Sequence, residues 1–302
     1  MKAIAFDYAD PTSVSETLGL LHRYDNTTLL AGGQSLVPYL HFRTARPEHV
    51  IDLNNVVELA GITPAPDGRI TIGAMTRQRT LAESDLLAGT CPITRDALHL
   101  VGHVATRTRG TLGGSLCNLD PSAELYGVSI LHDAVLDVRS ARGQRDIHIS
   151  DWARTYLTPA IESDELLHSI SWQPWPDGHG HAFLEFSKKH HDYAIVGAGA
   201  LLTVDEHQRI DQAAVVVLGV GIAPNRLPEA EAILRGRPGS PALFAEAART
   251  VNALEQFPEH CAERGYPRRF VSASFRQHLG VVLARRAIHQ AWVMATTGRA
   301  QR

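Results

Sequence analysis

The sequence predicts an α+β protein in two parts, on three observations. The chain opens with a β–α–β pattern. A Pro- and Gly-rich stretch, Pro174-Trp175-Pro176-Asp177-Gly178-His179-Gly180, breaks it past the middle. Beyond that break, strand-like runs come first and helix-like runs follow, as in an α+β domain. The expected division is therefore 1–176 and 177–302, with sub-domains of about 1–54 and 55–176 in the first part.

In chain order, Ser13-Val14-Ser15-Glu16 has capping-box form, and Val14, Leu18 and Leu21 then share one helical face to about Tyr24. Leu29-Leu30 reads as a buried strand end and residues 49–53 as another strand. Between them lie the turn Ala31-Gly32-Gly33-Gln34-Ser35 and a short helix starting at Leu36. Residues 69–74 form a strand after the Pro66-Asp67-Gly68 turn. Helices are expected over 76–87 and 92–101. A second turn, Gly110-Thr111-Leu112-Gly113-Gly114-Ser115, follows. Strands are expected at 134–138, 146–149 and 165–170. After the break come strands at 182–187, 193–204 and 210–219, then helices at 229–234, 242–254 and 273 to about 294. No fixed-period repeat is visible.

Composition narrows the function. A chain of 302 residues with 44% hydrophobic and 20% charged residues is an ordinary globular protein. A formal net charge of −3 gives no footprint for nucleic acid. No apolar run has the length of a membrane span, and the N-terminus has no secretion signal, so a cytoplasmic location is expected. The three cysteines, Cys91, Cys117 and Cys261, show no C-x-x-C spacing. An iron–sulfur cluster takes about four thiolates, so this chain has too few for one.

The two glycine turns are the informative motifs. Each lets main chain approach a ligand closely, and successive N–H groups in such a turn form an anion-binding nest. Two converging nests suit a pyrophosphate. On spacing alone, a tight strand-to-helix turn explains Gly32-Gly33 as well. Asp120 and Glu124, four apart, fit either a solvated loop pair or a site for vicinal hydroxyls. Lys188-Lys189-His190-His191-Asp192-Tyr193 fits a solvated face or a ring-binding segment.

Taken together and in order, Ala31 to Ser35, Arg109 to Ser115, Asp120-Pro121-Ser122-Ala123-Glu124 and Phe186 to Ala194 resemble the FAD-binding medium subunit of the molybdenum hydroxylases. That family includes the flavin subunits of carbon monoxide, nicotine and quinoline dehydrogenases and the flavin domain of xanthine dehydrogenase. The resemblance runs from about residue 1 to about 290. It implies a two-sub-domain FAD-binding fold of the vanillyl-alcohol-oxidase/PCMH type, followed by a C-terminal α+β domain of antiparallel sheet and helices.

The resemblance also implies site residues. Leu30, Ala31, Gly32, Gly33, Gln34, Ser35 and Leu36 would hold the pyrophosphate from one side. Gly110, Thr111, Gly113, Gly114 and Ser115 would hold it from the other. Asp120 and Glu124 would meet the sugar chain, with Glu124 on a hydroxyl. Leu167 would pack on the flavin. Lys188, Lys189, Asp192 and Tyr193 would lie on a strand passing the ring, one lysine facing its N1–O2 edge and Tyr193 shielding a face; which lysine does so stays open. Upstream, Ala105-Thr106-Arg107-Thr108-Arg109 departs from the Gln-Ile-Arg-Asn-Arg of many relatives, keeping both arginines.

The implied role is redox relay without a catalytic residue of its own. Electrons would arrive from 2Fe–2S clusters in a small iron–sulfur subunit and leave to an external acceptor: NAD, a quinone, a cytochrome or oxygen. A large subunit with a molybdenum cofactor would hydroxylate the substrate, in a dimer of heterotrimers. Two other readings remain, a stand-alone NAD(P)H-dependent flavoprotein and a flavin-free assembly factor. Gly197-Ala198-Gly199 begins like a dinucleotide fingerprint, but Leu202 replaces the third glycine and the run continues as strand. Histidine pairs such as His99/His103, His179/His181 and His190/His191 lack the partners of a metal site.

Overall fold

The computed structural model describes residues 2–189, 191–256 and 271–300. Cys261 and His190 lie outside the described residues. The chain begins with β1 (Asp7–Ala9), α1 (Val14–Arg23), β2 (Thr27–Leu30), α2 (Leu36–Phe42) and β3 (His49–Asp52). The three strands form a parallel sheet in the order β1-β3-β2. Half of the capping box at α1 forms as expected, the Ser13 side chain accepting from the Glu16 amide, while Glu16 reaches one residue past the cap and accepts from the Thr12 amide at 2.9 Å.

The second unit runs through β4 (Ile62–Pro64), β5 (Ile70–Gly73), α3 (Gln78–Glu83), α4 (Asp85–Thr90), α5 (Ile93–Leu100), α6 (Val104–Arg109), α7 (Leu112–Asn118) and α8 (Glu124–Leu131). It continues with β6 (Val135–Ser140), β7 (Gly143–His148), the small pair β8 (Ala153–Thr155) and β9 (Thr158–Pro159), and β10 (Leu166–Trp172). An antiparallel sheet forms in the order β4-β5-β10-β6-β7. The helix expected over 76–87 splits because Ser84 caps α4, its side chain accepting from the Leu87 amide. Helices α6, α7 and α8 have no counterpart in the sequence expectations.

The C-terminal part is an antiparallel sheet of β11 (Gly180–Ser187), β12 (Ala194–Val204), β13 (Ile210–Leu218) and β14 (Asn225–Arg226) in sequential order. Helices α9 (Pro228–Leu234), α10 (Pro241–Ala248) and α11 (Ala273–Ala300) follow. The helix expected over 242–254 ends at Ala248 and continues as a 3₁₀ turn, Arg249–Ala253. The fold is thus α+β, as expected, with strands before helices.

This sheet is covered on both faces, and the strand period of two sorts its residues. Leu201, Ala214, Val216 and Leu218 join the core that contains Leu125 and Val128 of α8. Val196, Ala198, Ala200, Val215 and Val217 join a second core with Ala284, Ala287, Ile288 and Ala291 of α11. Gly197 and Gly199 sit on the α8 side, where an added Cβ would lie 2.6 Å from Leu218 and 2.8 Å from Leu131. Close packing in mid-strand explains these glycines. A smaller core of Val14, Leu21, Ile51, Leu53, Val56, Leu59, Met75 and Leu166 sits under the first unit. Among the described residues no helix is long and apolar enough to cross a membrane.

Candidate functional site

The first glycine turn joins β2 to α2. Gly33 adopts φ +72°, a left-handed conformation that suits glycine. The turn points main-chain donors outward: among the described residues, no protein acceptor takes the N–H groups of Gly32, Gly33, Gln34, Ser35 or Leu36. Five successive unspent amides make a nest for an anion. Ser35 makes no side-chain cap bond to α2, so its hydroxyl is not spent there. The Gln34 side chain instead donates to Gly32 O at 3.1 Å and fixes the turn.

Ala31, Gly32, Gly33 and Gln34 line a cleft of about 340 Å³ with Leu30, Val37, Pro38, Asp52, Asn54 and Arg109. Arg109 supplies positive charge beside the nest. Asp52 is occupied within the wall, accepting from the Asn54 amide at 2.9 Å and the Tyr8 hydroxyl at 2.7 Å. That bond to a carboxylate pushes the Tyr8 hydroxyl up to about 12. Arg107 faces elsewhere, donating to Val101 O and Gly102 O at 2.7 and 2.8 Å beyond the end of α5.

The second glycine turn meets the first. A Cβ on Gly32 would lie 2.3 Å from Arg109 O and 2.8 Å from Gly110 Cα. A Cβ on Gly114 would lie 3.4 Å from the Ala31 Cβ. The two turns therefore converge, but not as two nests. Gly110 N–H donates to Thr106 O, Gly113 N–H to Ala74 O at 2.8 Å, Gly114 N–H to Thr111 Oγ1 at 3.0 Å, and Ser115 N–H to Thr111 O. Thr111 caps α7, and Gly113 is a packing glycine whose Cβ would come within 2.6 Å of Ala74 Cβ. The expectation of amide donation from Gly113, Gly114 and Ser115 is corrected on this ground: those donors are spent building α7, and the turn forms the wall on which Gly32 closes.

A polar cluster forms past the C-terminal end of α7. Asp120 is buried, and its Oδ1 accepts from the Ser122 amide at 2.9 Å and the Ser122 hydroxyl at 2.8 Å. Glu124, the first residue of α8, is pushed up to about 8, by burial first and then by Glu185. Burial likewise pushes Glu185 of β11 up to about 7. Two carboxyls in one site cannot both ionise cheaply, so near neutral pH they share a proton. Tyr193 also belongs here: the residue is 57% exposed, but desolvation at its hydroxyl, then the charges of Asp120, Tyr39, Glu124 and Asp192, raise that group. The fold thus brings Asp120, Glu124, Asp192 and Tyr193 together. Glu185 was missed by sequence reasoning. Its signal was a lone acid one position before the outward-facing Phe186 on a largely apolar strand.

Two further expectations change. Lys188 and Lys189 follow the end of β11 and Asp192 and Tyr193 precede β12, with Asp192 N–H donating to Lys189 O at 3.1 Å. None of these four residues lies in a strand, and both lysines are exposed. Leu167 lies within β10, 3% exposed and in the same core as Leu112 and Leu116. Its side chain is spent on that core and gives no ring-packing surface. Among the described residues no group of three His, Cys, Asp or Glu could hold a metal ion.

The donor set fits FAD. Unspent amides and Arg109 suit a pyrophosphate, and a carboxyl cluster holding one proton can both accept from and donate to the hydroxyls of a sugar chain. Comparison with known proteins agrees. Residues 4–172 match the family described as FAD binding domain in molybdopterin dehydrogenase. Residues 181–291 match the CO dehydrogenase flavoprotein C-terminal domain. The chain is 40% identical over 235 residues to the 6-hydroxypseudooxynicotine dehydrogenase complex subunit alpha of Paenarthrobacter nicotinovorans, covering 78% of this chain and 79% of that one. It is 32% identical over 288 residues to the carbon monoxide dehydrogenase medium chain of Afipia carboxidovorans, covering 95% and 96%. It superposes on reconstituted CO dehydrogenase from Oligotropha carboxidovorans with a TM-score of 0.91 at 30% identity, over 97% of this chain and 100% of that one. With two family matches spanning most of its length, the chain belongs to the FAD-binding flavoprotein subunits of the molybdopterin dehydrogenases.

Proposed function

We propose that this chain is the electron-transfer subunit of a heterotrimeric molybdenum hydroxylase. It takes electrons from 2Fe–2S clusters of a small partner subunit and delivers them to an external acceptor. A large partner subunit holds the molybdenum cofactor and the substrate. The observation that carries this reading is the nest of unspent amides from Gly32 to Leu36 beside Arg109. Bound FAD supplies the ability to accept electrons singly and release them in pairs.

The chain's own residues then have distinct tasks. The nest binds pyrophosphate oxygens, and Gly32 lets the second turn close on it. Glu124 and Glu185 hold a shared proton next to the sugar chain. Lys188 or Lys189 brings a positive charge to the ring end, beside Tyr193. On this reading residues 1–176 are the FAD-binding part, with sub-domains of about 1–54 and 55–176, and 177–302 the C-terminal domain. The partner assignment draws support from the thiols. Burial pushes Cys91 and Cys117 up to about 12, unlike the thiolates a cluster needs.

Purification of the native protein with everything that stays attached tests the proposal. The expected result is one noncovalent FAD per chain, with an iron–sulfur subunit and a molybdenum subunit in equal amounts. A flavin-free protein overturns the cofactor assignment. A flavin-loaded chain with neither an iron–sulfur nor a molybdenum partner in the native material overturns the relay.

A further inference from the structure

We propose that Arg77 is a positioning residue that locks the two glycine turns into one clamp for the FAD pyrophosphate. The inference rests on the cofactor reading above and extends it to a residue outside both motifs. Arg77 Nη1 donates to Arg109 O at 2.5 Å, in the second turn's approach. Its Nη2 donates to Asn54 Oδ1 at 2.5 Å. Asn54 Nδ2 donates to Ala31 O at 3.0 Å, in the first turn, and also to Asp52 Oδ1. An unbroken chain of bonds therefore runs from one turn to the other through two side chains.

The acceptor on the second side is not arbitrary. Arg109 O is the same carbonyl that a Cβ on Gly32 would approach to 2.3 Å. Arg77 thus holds the atom against which Gly32 packs. Its backbone is pinned as well, because Gln78 N–H donates to Gly110 O at 2.9 Å and Leu112 N–H to Thr76 O at 3.1 Å on either side of it. A guanidinium can serve two acceptors in different directions with one planar fork, which an ammonium cannot reproduce. Burial, then the neighbouring Arg109 charge, disfavours the charged form of Arg77, and the Asp52 carboxylate offsets part of that.

The test uses the full-length protein with any subunits that co-purify, stripped of FAD and titrated with FAD by flavin fluorescence. Melting of the FAD-free form is followed in parallel. Arg77→Lys keeps the charge and loses the fork. It should weaken FAD binding about tenfold to a hundredfold, the cost of closing turns that are no longer braced, with a smaller fall in melting of the FAD-free protein. Arg77→Ala and Asn54→Ala should each weaken binding, and the double variant should lose no more than Arg77→Ala alone, because both cut one chain of bonds. Full affinity in Arg77→Lys overturns the brace in favour of simple charge. Additive losses in the double variant overturn it too. Wild-type protein that takes up no FAD overturns the cofactor reading itself, a different and separable result.

Discussion

Gly32→Ala is the sharpest test of how the cleft closes. The new Cβ would lie 2.3 Å from Arg109 O, 2.8 Å from Gly110 Cα and 2.9 Å from Arg109 C. All three are backbone atoms, so no rotamer change relieves the contact. A carbon meets a carbonyl oxygen at about 3.3 Å or more, and the turns must part by roughly 1 Å. Overpacking of this kind costs about 1–3 kcal/mol. The FAD-free protein can relax by opening the cleft, whereas the bound form needs it closed. The cost should therefore fall mainly on binding, weakening FAD by about fivefold to 150-fold. Gly33→Ala is the control. Its Cβ would meet side chains, Val37 Cγ2 at 3.1 Å and Leu30 Cδ1 at 3.3 Å, and its φ of +72° adds strain of about 1–2 kcal/mol. That strain burdens free and bound forms alike and should lower melting more than affinity. FAD titration and melting of both variants decide. If Gly32→Ala binds FAD as the wild type does, or Gly33→Ala loses more affinity than Gly32→Ala, the turns do not close as described.

Three further outcomes are expected. Gly180→Ala should cost about 3 kcal/mol or more in denaturant unfolding, because its Cβ would lie 1.8 Å from Ala291 O of α11; wild-type stability would mean that α11 does not pack there. Glu124 and Glu185 have raised pKa values, so the folded FAD-free protein keeps protons that the unfolded chain releases, and stability should fall as pH rises from about 4.5 towards 8. Glu185→Gln should flatten that fall in a melting series, and an unchanged slope counts against the shared proton. Lys188→Ala, Lys189→Ala and Tyr193→Ala should retain FAD, at least one with a lower flavin midpoint potential by about 1–3 kcal/mol equivalent; three unshifted potentials would remove these three residues from the ring.

Local chemistry was legible in the sequence, and tertiary consequences were not. The capping box at Ser13 and Glu16 is a contact within four residues and announced α1. Helix α8 gave no signal because Leu125 to Leu131 are all buried, and a helix covered on every side has no amphipathic period. Helix α7 hid behind Gly113 and Gly114, poor helix formers by propensity; Gly113 is there because Ala74 leaves no room for a Cβ. The resemblance identified Lys188, Lys189, Asp192 and Tyr193 but not that they lie between strands, although Asp192 beside two lysines already suited a break in the strand. Glu185 belongs to no motif, and only the fold sets it against Glu124.

The asymmetry of the two turns changes what a substitution in each one means. In the first turn the amides are unspent, so a change there acts on the ligand directly. In the second they are committed to α7. A Cβ on Gly114 would sit 2.8 Å from Thr111 Oγ1, the atom that accepts the Gly114 amide and caps the helix. Losing such a cap costs about 1 kcal/mol, and the loss is felt by the protein whether or not FAD is present. A Gly114 variant that binds FAD poorly would thus report a frayed α7 and a displaced wall, not a phosphate contact. Thr111→Ser retains the capping oxygen and should leave both melting and FAD affinity close to wild type. Thr111→Val keeps the shape, removes the acceptor and should lower melting in the FAD-free protein first. Were Thr111→Val to lose FAD affinity with its FAD-free melting unchanged, the threonine hydroxyl would have to be a ligand contact, and the one-sided nest would be wrong.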